Sequence, residues 1–283
     1  MNQYVLLAET GADIPQDIRE KYGIYIVPMH VTLGDETRDD GAFPVSELFD
    51  YYKRTKKLPK TSASNQYDFE CVFDRIRREQ PEAIIIYTAY SAVTTATYAA
   101  ALSAMEGRSG IYAVDTKHVS GGETLCVLLT ARYIKDHPEA SPEEIISYVE
   151  SIRGRVHMGF FPGDLDYLRA GGRVSNAAYM GAKILSLNPL IEVNNGFLVA
   201  TKKYRGKMDR VARRLLADFT EEYHFSRDLL LMVWSEGLPE ALKADLEKQA
   251  RSQGFKEIRW IKTGGVISTH SGPGAFGVIG IEA

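Results

Sequence analysis

Very little in this sequence suits redox, metal or nucleic-acid chemistry. Its 283 residues hold two cysteines, Cys71 and Cys126. Both fall in segments that read as helices, which describes reduced core residues of a cytosolic protein rather than a disulfide framework or a thiolate metal site. The six histidines are scattered, without the spacing of a metal-binding motif. Charge of neither sign dominates: 34 basic residues stand against 37 acidic ones, a net charge of -3. No run of like charge offers a polyanion-binding patch or a charged tail. No apolar run approaches the roughly 20 residues of a membrane span. The opening "MNQYVLLAETGAD" carries a short apolar run with no basic flank, unlike a signal peptide, so the expected location is the cytoplasm. Internal repeats, low-complexity segments, a Walker-type glycine loop, a nucleophile elbow and a Ser/His/Asp order are all missing.

What remains is ordinary globular composition, 45% hydrophobic and 25% charged, with length for one large or two medium domains. The first half alternates strands and helices. "YVLLA", "AIIIYT" and "GIYAV" are short apolar runs of the kind buried between helix layers. "IYIVPMHVTL" is extended, with Pro28 marking an edge or a bulge. "PVSELFDYYKR", "SNQYDFECVFDRIRRE", "TTATYAAALSAME" and "ETLCVLLTARYIKDH" read as helices. In the second of these, Phe69, Val72, Phe73 and Ile76 recur at helical spacing and form one apolar face. "SPEEIISYVESI" has a capping box in Ser141 and Glu144, with Pro142 at the first helical position.

The pattern changes near residue 157. "HMGFF" is a short strand and "DLDYLRAGG" a short helix stopped by Gly171 and Gly172. "PLIEVNNGFLVATKKYR" is a hairpin turning at Asn195-Gly196. Helix "MDRVARRLLADFTEEY", strand "LLLMVWS", helix "LPEALKADLEKQARSQG" and strands "IRWIKT" and "VIGIE" complete the chain. The expected fold class is α/β: an N-terminal doubly wound parallel-sheet domain over 1–157 and a C-terminal α+β domain over 158–283, with a ligand cleft between them.

Four polar loops gather hydroxyls: "AETGAD", "YSAVTTATY", "VDTKHVSGGE" and "PKTSAS". They carry Thr10, Thr61, Ser62, Ser64, Ser91, Thr94, Thr95, Thr97 and Thr116. Such groups cradle an anion without charge, and they equally cap helices; "TTAT" holds more hydroxyls than one cap uses. Glu9 and Asp13 suit acid–base work or the holding of a loop. Arg173, in "GGRVS", and the basic "KKYRGK" are either solvated surface or a dock for an acidic or phosphorylated partner. His270 lies between a β-branched run and the glycine turn "SGPGAFG", between two strand-like segments. It is either structural or a donor to a bound carboxylate.

The ordered combination of these segments resembles the DegV family of bacterial fatty-acid-binding proteins. "LLAETGAD" is similar to the family's opening strand and loop, "PKTSAS" to its Thr-Ser segment, "YSAVTTATYAAA" to its Ser-Gly-Thr segment, and "AVDTKHVSGG" to its third strand and loop. "LDYLRAGGRVSNAAYMGAKILSLNPLIEVNNGFLVATKKYRGK" and "THSGPGAFG" match its later elements. The resemblance implies a long-chain fatty acid in a tunnel between or beside the two domains, with no cofactor and no catalytic machinery. It implies that Thr61, Ser62, Ser91, Thr95, Thr97 and His270 surround the carboxylate. It also implies that Arg173 and Arg205 face a separate fatty-acid kinase that phosphorylates that carboxylate. The chain departs from the family pattern at Glu9-Thr10-Gly11, at Ala92, at Thr95-Ala96 and in the proline-free "TSAS". Two other readings stand beside it: a binder of another anionic metabolite, and a hydrolase or phosphotransferase using Glu9, Asp13 or Asp115 with His270.

Overall fold

The computed structural model of the chain describes residues 4–172 and 187–283, and statements of absence below concern those residues. The apolar runs of the first half form a four-stranded sheet, order β2-β1-β6-β7, from β1 (Tyr4–Glu9), β2 (Tyr25–Val27), β6 (Ile84–Ala89) and β7 (Ile111–Asp115), all parallel. Alternation sorts its side chains. Val5, Leu7, Ile85 and Tyr87 meet α3 (Gln66–Glu79) and α4 (Thr97–Met105) on one face. Leu6, Ala8 and Ile86 meet α1 (Gln16–Tyr22) and α5 (Ser120–Asp136) on the other. A strand buried on both faces reads as a near-continuous apolar run, as "AIIIYT" does, and the hydroxyl of its buried Thr88 donates to the Leu7 carbonyl at 3.2 Å. Pro28 stands in neither of its neighbouring strands. It marks the crossing from β2 into a small antiparallel sheet, order β4-β3-β5, made of β3 (His30–Leu33), β4 (Glu36–Asp39) and β5 (Lys60–Ser62).

The second half builds a six-stranded mixed sheet, order β10-β9-β8-β13-β11-β12. Its strands are β8 (Val156–Phe161), β9 (Leu187–Asn194), β10 (Phe197–Arg205), β11 (Leu229–Trp234), β12 (Glu257–Lys262) and β13 (Phe276–Ile281). The β9–β10 hairpin turns at Asn195 (φ 47°) and Gly196 (φ 87°), the double left-handed step that Asn-Gly permits. Helices α8 (Met208–Glu222) and α9 (Glu240–Ser252) cover one face of this sheet. The other face, with Met158, Phe160, Leu231, Val233 and Ile279, shares a core with α5. Helix α5 is therefore sandwiched between the two sheets and buried nearly all round from Ser120 to Ala131. Helix α6 (Pro142–Arg153) starts on the expected capping box, with the Glu144 N–H donating to Ser141 Oγ at 3.2 Å and the Ser141 N–H donating back to Glu144 at 2.7 Å.

Three expectations need correction. Cys71 is exposed on α3, whereas Cys126 is buried. "PKTSAS" does not run as a loop into α3, because its first half is β5, held by pairing with β3. The segment before the glycine turn is the helix α10 (Gly265–Ser271) rather than strand-like chain. The small side chains of α4 serve packing: Ala101 and Ala104 sit in the core against α3 and β6.

A carboxyl pair is buried where β1 meets α5. Glu9 and Glu123 are both fully buried and lie close enough for the charge of Glu9 to raise Glu123, whose two oxygens have no hydrogen-bond partner among the described residues. Tyr87 Oη donates to Glu9, and the Tyr90 N–H donates to both Glu9 oxygens at 3.3 Å. Burial raises Glu9 from 4.5 to about 7 and holds Glu123 well above its ordinary range, so the pair keeps a proton at neutral pH. A carboxyl whose folded pKa is raised stabilises the fold below its unfolded pKa and loses that advantage as pH climbs through the folded value. Unfolding free energies measured with urea from pH 5 to 8 are therefore expected to fall by about 1.4 kcal/mol per pH unit for each proton the pair holds in the folded state. Glu123→Gln is expected to flatten the fall; equal slopes in the two proteins would refute the assignment.

Candidate functional site

Helix α10 carries His270, and two aspartates from distant loops hold its start. The Gly264 N–H donates to Asp13 Oδ1 at 2.6 Å. The Gly265 N–H donates to Asp40 Oδ1 at 2.7 Å and the Val266 N–H to Asp40 Oδ2 at 3.2 Å. The amides that open a helix have no partner within it, and negative charge is favoured at that end. Burial pushes Asp40 above the usual carboxylate range, against the pull of its bonds from the Gly265 and Val266 amides. Asp13 is raised for the same reason, against the pull of its bonds to Ser120 and Gly264.

At the other end of α10, His270 Nε2 lies 2.9 Å from Thr61 Oγ1 on β5, a pair 209 residues apart in sequence. Gly171, at the end of α7 (Leu165–Ala170), backs the ring: a Cβ there would lie 2.0 Å from His270 Nδ1. Its φ is -69°, so glycine is demanded here by space rather than by backbone conformation. Gly171, the first of the Gly171-Gly172 pair read as a helix stop, has this second duty.

Thr61 and His270 open onto a narrow cavity with about 840 Å³ of space between its walls, part of it open to solvent. The polar members of its lining are Thr61, Ser62, Thr94, Thr95, Ser120, Thr263, His270 and Ser271. The rest of the lining is apolar or aromatic, Met29, Tyr90, Met158, Phe160, Leu198 and Val233 among it. The cavity lies between the start of α5, the inner face of the six-stranded sheet, the loop after β6, the small sheet and α10.

Of the residues singled out in sequence, Thr61, Ser62, Thr95 and His270 border this cavity, and Ser91 and Thr97 do not. Ser91 is fully buried and donates to the Gly196 carbonyl at 2.9 Å, fastening the hairpin tip to the loop after β6. The Thr97 hydroxyl lies 2.9 Å from that of Thr95, one step back from the cavity. Arg205 is exposed at the end of β10, and Arg173 falls outside the described residues. Sequence reasoning missed Asp40, which carries no motif, and Ser120, whose left-handed backbone (φ 48°) turns it to the cavity at the first residue of α5.

The carboxylates that an enzymatic reading would use are held elsewhere. Glu9 is bound by Tyr87 and Tyr90, and Asp13 by Gly264 and Ser120. Asp115 Oδ1 accepts the Ala92 N–H at 3.3 Å and the Lys117 N–H at 2.8 Å. None of the three borders the cavity. No cluster of His, Cys, Asp and Glu suited to a metal ion occurs among the described residues, and no helix there is long and apolar enough to cross a membrane.

Known proteins are similar to this chain over nearly its whole length. A fatty acid-binding protein of Thermotoga maritima is 28% identical over 98% of this chain and 96% of its own length. The structure of a hypothetical protein from T. maritima, described as revealing fatty acid binding function, superposes with a TM-score of 0.83 at 25% identity, covering 99% of this chain and 100% of that one. A DegV family protein from Thermus thermophilus shares the fold at a TM-score of 0.87 and 24% identity, over 99% and 100% of the two chains. So does the Fatty Acid Kinase (Fak) B3 protein of Streptococcus pneumoniae loaded with linoleic acid, at a TM-score of 0.84 and 15% identity over 99% and 100%. The profile described as "Uncharacterised protein, DegV family" matches residues 4–283, so the chain belongs to the DegV family.

Proposed function

We propose that this protein binds a long-chain fatty acid in the cavity and presents its carboxyl group to a separate fatty-acid kinase, without catalysing a reaction itself. The observation that carries this reading is the Thr61–His270 pair, bonded at 2.9 Å at the polar end of an otherwise largely apolar cavity. A hydroxyl and an imidazole both donate to a carboxylate and accept from a carboxylic acid, so the head group needs no fixed charge beside it. The apolar walls take the hydrocarbon, where each buried methylene contributes about 0.8 kcal/mol. Ser62, Thr95 and the missed Ser120 complete the polar end. Ser91 and Thr97 act one step back, through the hairpin tip and Thr95. Support comes from the T. maritima relative, itself a fatty acid-binding protein, and from the linoleic-acid-loaded kinase B protein of the same fold. Arg173 and Arg205 are the residues we assign to the kinase, the cytoplasm is the location we assign to the complex, and 1–157 and 158–283 are the two domains.

Two measurements test this reading. Protein purified from a bacterial host, denatured and extracted, is expected to release a stoichiometric long-chain fatty acid in mass spectrometry. An empty extract, with no thermal shift on adding fatty acids, would turn the search to other anionic metabolites. Thr61→Val keeps the shape and removes the hydroxyl, at a cost on the order of 1 kcal/mol or about fivefold in affinity. Gly171→Ala, by driving the His270 ring off Thr61, is expected to weaken displacement of a fluorescent fatty acid at least as much. Unchanged affinity in both variants would move the head group elsewhere.

A further inference from the structure

A second cleft lies back to back with the cavity, with about 980 Å³ between its walls, part of it open to solvent. We propose that this cleft binds the oxyanion of a small polar molecule, a phosphate or a carboxylate, and that its occupancy is felt in the cavity. Donors and acceptors in this cleft are unequal. Glu192, buried at 7% exposure, accepts from the Thr201 and Tyr223 hydroxyls. Glu150 pairs with Arg153 at 3.2 Å, and His157 Nε2 meets Glu282 at 2.6 Å. Each carboxylate of the cleft thus already faces a donor. The cations are not used up in the same way. Lys117 is half-buried and has no hydrogen-bond or ion-pair partner for its ammonium among the described residues. Arg153 gives one N–H to the Asp115 carbonyl at 2.9 Å and another to Glu150, leaving further N–H groups of the guanidinium uncommitted. A partly buried lysine without a counter-charge, beside an incompletely used arginine, is completed by an anion.

Two segments form walls of both spaces. Lys117 and His118 face the cleft, while the next two residues, Val119 and Ser120, face the cavity. Asn194 and Asn195 at the hairpin tip face the cleft, while Leu198 of the same hairpin faces the cavity. The Ser91–Gly196 hydrogen bond fixes that tip to the loop bearing Thr94 and Thr95. A ligand that draws Lys117 and the tip together therefore shifts the walls of both spaces.

The test titrates the full chain, freed of fatty acid, calorimetrically with inorganic phosphate, pyrophosphate and citrate. Saturable binding of at least one is expected, and the probe that binds separates a phosphate source from a carboxylate one. Lys117→Met is expected to weaken it by about tenfold or more while leaving the thermal midpoint unchanged. No saturable binding of any probe, or equal affinity in the variant, would overturn the site. The link to the cavity rests on the fatty-acid reading: the anion and the fatty acid should change each other's affinity by one common factor. Fatty-acid affinity indifferent to a bound anion would overturn the link alone. Loss of fatty-acid binding altogether would count against the cavity reading and leave the anion measurement standing.

Discussion

The backbone amides that open α10 have to be satisfied inside the protein, and the site depends on how this is done. Asp13 and Asp40 reach Gly264 and Gly265 across 251 and 225 residues of sequence. These bonds draw the loops after β1 and β4 onto the helix that carries His270, and with them the small sheet that carries Thr61. An unsatisfied buried amide is expensive, and each of these amides has a carboxyl oxygen for its partner. The Thr61–His270 pair is thus a consequence of capping at the far end of α10. The Gly171 backbone then closes the ring in from behind.

The same economy explains why an acid-rich neighbourhood is poor in free acid groups. Glu9, Asp13, Asp40 and Glu123 cluster around the starts of α5 and α10, all with raised pKa values because burial disfavours their charged forms. Glu9, Asp13 and Asp40 turn their oxygens to amides and hydroxyls, and Glu123 is packed behind them without a hydrogen-bond partner among the described residues. What reaches the cavity from this cluster is neutral: the Ser120 hydroxyl and the Tyr90 side chain. A wall of that kind tolerates an acidic head group that carboxylates facing it would repel.

Much of the fold was legible because its signals are local. A near-continuous apolar run, an Asn-Gly turn between two alternating runs, and a serine three residues before a glutamate each fix one element through its own sequence. The helix α10 was not legible, because "GVISTHS" is short and β-branched and its caps come from residues more than 200 positions away. Strand β5 was not legible either: three residues show no period, and only pairing with β3 makes "KTS" a strand. For the site, sequence gathered the hydroxyls without distinguishing those that face the cavity from those that hold its walls. Thr95 and Thr97 are two positions apart; the first borders the cavity and the second stands behind it.

That division between facing and holding bears on any reading of the chain by substitution. Ser91 touches no ligand space, yet its bond to Gly196 ties the hairpin to the loop that presents Thr94 and Thr95. Gly171 has no side chain to offer, yet a single methyl there collides with His270. Loss of binding on changing either residue would resemble loss of a contact. The two cases separate when each change is combined with Thr61→Val. A group that acts through the Thr61–His270 pair loses little more when the pair is already broken, and a group that acts elsewhere loses its full share. By that reasoning Gly171→Ala is non-additive with Thr61→Val. Ser91→Ala, acting through the hairpin, adds to it in full.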